Sequence, residues 1–197
     1  MTGLQPALAA LASGDIVIIT GDRLRGGDID FCTPARTITA EKINFMAKFG
    51  RGLICLTLTP ERAMKLGISL MNPSAHRQTG RPFGNSIEAA DGVATGISAA
   101  DRARTIEVAV RQGASADDLV SPGHVFPLIA RSEGTTVRMS AVEGSIELCC
   151  LADMGDAAVI CSIMRDDGEM ARIDDIEELI RDFQLPIADI GHLSTVT

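Results

Sequence analysis

Tryptophan and tyrosine are missing from this chain altogether, and only six phenylalanines are present. A core built from these residues must be aliphatic, and recognition of nucleic-acid bases by ring stacking is disfavoured. Basic residues are in the minority as well: 18 Lys and Arg face 26 Asp and Glu, for a formal charge of −8. Repulsion of that sign opposes nonspecific binding to nucleic acid and to acidic membranes, so neither partner is expected. The five cysteines, Cys32, Cys55, Cys149, Cys150 and Cys161, form no C-x-x-C pair and have no histidines at ligand spacing. Neither a zinc site nor a disulfide framework is indicated, which suits a reducing compartment. The first twenty residues have neither a basic start nor a continuous apolar run. No signal peptide or membrane span is expected, and a cytoplasmic protein follows.

What is present is 46% hydrophobic residues in 197, enough for one domain over residues 1–197. Apolar residues at helical spacing predict helices over 4–11, 40–49, 60–66, 98–111, 142–151 and 174–183, with Thr39 as an N-cap and Pro60 in a first turn. Buried-strand patterns fall at 15–20, 52–59, 157–164 and 186–190, and at 121–130 after an initial turn. Cys149 and Cys150 fall on the inward side of their helix, as do Ile176, Leu179, Ile180 and Phe183 of theirs. Strands alternating with helices, without an internal repeat, predict an α+β fold in which a layered sheet carries helices on its faces.

Polar, glycine-rich stretches interrupt this pattern. Residues 91–102, DGVATGISAADR, lead through Gly92 and Gly96 to a Ser98-x-x-Asp101 cap, where Thr95 and Ser98 sit beside unpaired N–H groups that attract anions. Residues 21–31 crowd Asp22, Arg23, Arg25, Asp28 and Asp30 around a Gly-Gly turn, and residues 72–84 bring His76, Arg77 and Arg81 into a second loop. Arginines on such turns suit the gripping of a small anion. A third loop, 134–141, contains Arg138, and His124 stands where a turn becomes a strand.

Four segments resemble 3,4-dihydroxy-2-butanone 4-phosphate synthase of riboflavin biosynthesis: FGRGLICLTLTPER (49–62), DGVATGISAADRARTI (91–106), SPGHVFPL (121–128) and VICSIMRDDGEMAR (159–172). The resemblance implies a three-layer mixed-sheet fold, a homodimer with active sites at the subunit interface, and conversion of ribulose 5-phosphate to formate and a four-carbon ketone phosphate. It implies magnesium too, held by an acidic loop and a distant histidine. Along that loop, D-R-E-x-E-G-D in the family, this chain reads Asp22-Arg23-Leu24-Arg25-Gly26-Gly27-Asp28. The family's G-H-T-E falls on Ser140-Ala141-Val142-Glu143, so a leucine and an alanine stand where ligands are expected. Residues 31–39 read as a short insertion that brings in Cys32, with Arg36 at a further family glutamate.

Three readings follow. In the first, the fold performs lyase or isomerase chemistry on a small phosphate or carboxylate of specialised metabolism, without metal or other cofactor. Its candidate catalytic residues are His124, Asp28, Cys55 and Glu143. Its candidate substrate-binding residues are Arg23, Arg25, Arg77, Arg81, Thr95, Ser98, Arg138 and Cys32. The second is the synthase itself with a rearranged magnesium site drawn from Asp22, Asp28, Asp30 or Glu143. The third is a homodimer that binds an anion without catalysis.

Overall fold

Residues 3–72 and 82–195 are described by the computed structural model. Caps and periodicity place the helices where the sequence predicts: α1 (Leu4–Ala12), α2 (Ala40–Phe45) and α3 (Pro60–Lys65), then α4 (Ala99–Val110), α5 (Ala141–Leu151) and α6 (Glu177–Phe183). The side chains of Thr39, Thr59 and Ser98 each accept a backbone N–H of the first turn. After α2 the chain continues through a wider π-type turn, Met46–Gly50. No helix among the described residues is long and apolar enough to cross a membrane.

Seven strands form one sheet among the described residues: β1 (Val17–Thr20), β2 (Asp30–Pro34), β3 (Arg51–Leu58), β4 (Ile87–Ala89), β5 (Leu119–Ile129), β6 (Ala157–Ile163) and β7 (Ile187–Asp189). Their order is β4-β5-β3-β6-β2-β1-β7. β1 and β7 are parallel, as are β3 and β5, and the other neighbours are antiparallel, so the sheet is mixed. Alternate residues feed opposite cores. Ile18, Ile54, Leu56 and Val159 pack with Ile43 of α2 and Ile106 of α4, while Val17, Ile19, Cys32 and Ile160 pack with Leu11 of α1 and Leu148 of α5. Helices thus cover both faces, and the expected three-layer α+β architecture is what the chain adopts.

Three local readings are corrected. β2 falls where a loop and insertion were expected, because DFCTP is short and bounded by an aspartate and a proline; its burial on every residue shows it to be an interior strand. The turn expected at 121–124 is a bulge inside the continuous strand β5: Ile87 pairs with Val125, but Glu88 pairs with Val120. Gly123 makes this possible, since a Cβ there would lie 2.2 Å from the Ile87 carbonyl carbon. Finally, Cys150 and Phe183 are exposed, Phe183 lying on the surface against Phe45 and Phe49.

Candidate functional site

The loop between β1 and β2 turns back on itself at Gly26 and Gly27, with φ +60° and +94°, a region glycine enters without strain. The reversal returns Arg25 over Asp22 and over Asp30, the first residue of β2. Asp22 Oδ1 accepts the Leu24 N–H at 2.8 Å; its Oδ2 accepts the Ala141 N–H and Arg25 Nε, both at 2.9 Å. This carboxylate therefore fastens the loop to the N-terminus of α5, where the helix dipole favours negative charge. Asp30 pairs in register with Ser162 of β6, whose hydroxyl donates to Asp30 Oδ1 at 2.7 Å.

Arg25 closes the cluster. Its Nη1 donates to Asp30 Oδ1 at 3.2 Å and to Ser162 Oγ at 3.1 Å, and Nη2 donates to Asp30 Oδ2. Burial, the largest influence on its charge, opposes ionisation, yet the hydrogen bonds and charges of Asp30 and Asp22 together hold the guanidinium above its ordinary pKa. Arg138 stands beside the same helix terminus, nine-tenths buried, with Nη1 3.5 Å from Glu143 Oε1. Burial lowers its pKa and Glu143 opposes that fall.

These groups border a cavity of about 210 Å³ over the α5 side of the sheet. Cys55, Leu128 and Ile160 supply its apolar lining from β3, β5 and β6, and Phe83, Met164 and Met170 supply more exposed walls. Of the residues singled out from sequence, the structure brings together Asp22, Arg25, Asp30, Cys55 and Arg138 here. Glu143 faces an adjoining cavity, accepting the Arg131 N–H at 2.8 Å and the Ser140 hydroxyl. Asp28 pairs with Arg172 at 2.8 Å, and Arg23 is exposed. Cys32 is fully buried and hydrogen-bonds Cys149, a contact that with burial raises its thiol pKa well above the ordinary value. Arg77 and Arg81 lie outside the described residues.

His124 is absent from the cavity lining. On the bulged segment of β5, its Nδ1 lies 2.8 Å from Glu88 Oε2, with Gly96 packed against the same carboxylate. The anion site expected at Thr95 and Ser98 is taken by the chain's own Asp101, whose carboxylate accepts the Ala94 and Gly96 N–H groups at 3.2 and 3.0 Å. A capping residue already supplies the negative charge that this helix start attracts. Ser140 and Ser162 are the site residues sequence reasoning passes over. Ser162 had a signal, being a hydroxyl inside the otherwise apolar run AAVICSIM.

The residues suit a hard cation in kind. Among the described residues no three His, Cys, Asp or Glu side chains converge as metal ligands. The Asp22 and Asp30 carboxylates do converge on one positive group, the Arg25 guanidinium, with a hydroxyl beside it. Two carboxylates, completed by water and substrate oxygens, are how magnesium is commonly held.

Similarity to known proteins accords with this geometry. The family model for 3,4-dihydroxy-2-butanone 4-phosphate synthase matches residues 5–196. A riboflavin biosynthesis protein RibBA of Aquifex aeolicus is 44% identical over 192 residues, which are 96% of this chain and 47% of that protein. The chain thus spans about half the length of this relative, as it does of several others. A 3,4-dihydroxy-2-butanone 4-phosphate synthase of Chromobacterium violaceum is 39% identical over 97% of this chain and 91% of its own length. A solved 3,4-dihydroxy-2-butanone 4-phosphate synthase in complex with two magnesium ions superposes with a TM-score of 0.90 at 30% identity, covering 97% of this chain and 94% of that one. That structure overturns the expectation of a fold working without a cofactor, which gave more weight to Leu24 and Ala141 at the expected ligand positions than to the remaining oxygen donors Asp22 and Asp30. The chain belongs to the 3,4-dihydroxy-2-butanone 4-phosphate synthase family.

Proposed function

We propose that this chain is a working synthase, converting ribulose 5-phosphate to formate and 3,4-dihydroxy-2-butanone 4-phosphate, with magnesium held at Asp22 and Asp30. The observation that carries the reading is the cavity itself: the paired carboxylates of Asp22 and Asp30 and the buried Arg138 line one space, with Asp22 bonded to the N-terminus of α5. All atoms of the sugar phosphate reappear in the two products, so the chemistry is redox-neutral and consists of proton transfers and carbon-skeleton rearrangement.

Arg138 and the positive end of α5 hold the phosphate, the guanidinium by paired donors and the helix by its dipole. Asp30 takes the proton from the carbon next to the carbonyl, its carboxylate oriented by Ser162 Oγ at 2.7 Å. The apolar lining excludes bulk water from the enolised sugar. Bound magnesium would act as a Lewis acid, polarising the carbonyl and hydroxyl oxygens of the substrate. The homodimer implied by the sequence belongs to the same reading, and exposed Leu24 and Leu53 beside the cavity are apolar surface for a second copy to cover.

Incubation with ribulose 5-phosphate, with and without magnesium and following formate, tests the reading. Formate should appear only when magnesium is present, and its absence at every magnesium concentration would sink the proposal. Sedimentation should give twice the chain mass.

A further inference from the structure

Among the described residues, Arg25 is the one charged group of the cavity to which the synthase reading gives no task. Its side chain is 14% exposed, and those of Asp22 and Asp30 are 4% and 2% exposed. Carboxylates this close and this poorly hydrated need a positive charge between them, and here a guanidinium supplies it. The two ends of the arrangement are held differently. Asp22 is fixed by two backbone N–H groups, and Asp30 by its place in β2 and by Ser162. Arg25 rides on a loop whose flanking Leu24 and Gly26 are exposed, and its side-chain bonds are to Asp22, Asp30 and Ser162. The acceptors are built into the fold and the cation is tethered by a flexible arm.

We propose that Arg25 is a built-in competitor for the metal: a divalent ion enters the Asp22–Asp30 site only by exchange, as the guanidinium swings out into solvent. This rests on the magnesium reading above. The exchange lets the buried carboxylates fold without metal, and it reduces the apparent affinity of the site to its intrinsic value multiplied by the fraction of time Arg25 is away. A divalent ion wins at sufficient concentration because it brings twice the charge to the same two carboxylates.

Manganese(II) alone is the probe, its free concentration read by electron paramagnetic resonance. Arg25→Gln should bind manganese at least tenfold more tightly than the wild type, and adding Asp30→Asn should abolish the gain. The unaltered protein gives a second readout should the variant fail to fold. Modification of Arg25 by 1,2-cyclohexanedione, followed by mass spectrometry, should accelerate when manganese is added, because the guanidinium is then exposed. Equal manganese affinity in Arg25→Gln, or an Arg25 reactivity that manganese leaves unchanged or slows, would overturn the exchange. Failure of the synthase reading looks different: no formate forms from ribulose 5-phosphate, while manganese binding and Arg25 labelling keep the expected pattern.

Discussion

At the scale of single residues, environment rather than residue type sets the chemistry, and the cysteines show it. Burial pushes the Cys161 thiol up to about 12, and burial with a Cys149 hydrogen bond raises Cys32. Cys150 is exposed. Because the thiolate is the reactive form, native protein treated with iodoacetamide at pH 8 should be modified at Cys150 first, with Cys32 and Cys161 unmodified until unfolding; peptide mass spectrometry reads the order. Asp101 gives a pH dependence. The Ala94 N–H is the largest influence holding its carboxyl below the ordinary 3.8; Ser98 and the Gly96 and Thr95 N–H groups add to it and burial opposes. A carboxyl depressed in the folded state contributes stability that is fully present above the unfolded pKa and lost as pH falls through the folded value. Thermal unfolding followed by circular dichroism should show wild type losing stability below about pH 4, with Asp101→Asn less stable at pH 7 and flatter across that window. In the cavity, Asp30→Asn leaves Arg25 with half its compensation, and urea unfolding should show a loss on the order of 3 kcal/mol.

At the scale of elements, the bulge in β5 carries the clearest consequence. Gly123 lies so close to the Ile87 backbone that any Cβ must push β4 away. Gly123→Ala should cost about 1–3 kcal/mol, the range for overpacking, and hydrogen–deuterium exchange should show lost protection across Ile87–Ala89 and the paired stretch of β5. The same bulge explains why the SPGH segment reads as a turn: Pro and Gly are the ordinary signals for one, and whether they reverse the chain or only bulge a strand depends on a partner more than thirty residues away.

At the scale of the whole molecule, one sheet serves both cores. Strands β1, β3 and β6 each send alternate side chains to opposite faces, so neither core can be lost while the other keeps its strands. Pulsed thiol labelling through a urea titration should therefore expose Cys161 of one core and Cys149 of the other at the same midpoint, whereas separated midpoints would show independent halves. The acidic charge of −8 is likewise a property of the whole. It leaves local positive charge at Arg138 to do the work of anion recognition against the long-range field.

Periodicity, caps and glycine stops determined the helices, most strands and their layered arrangement, because those signals act between residues a few positions apart. Asp22 and Asp30 were legible as oxygen donors, and Arg25 and Arg138 as anion holders, from residue type alone. Only the tertiary structure decided that Arg25 turns inward onto those aspartates, that Ser162, 137 residues from Arg25, completes their shell, and that His124 pairs with Glu88 away from the cavity. These outcomes depend on which strand lies beside which and in what register, and strand register is set by how both cores fill at once rather than by any local stretch of sequence.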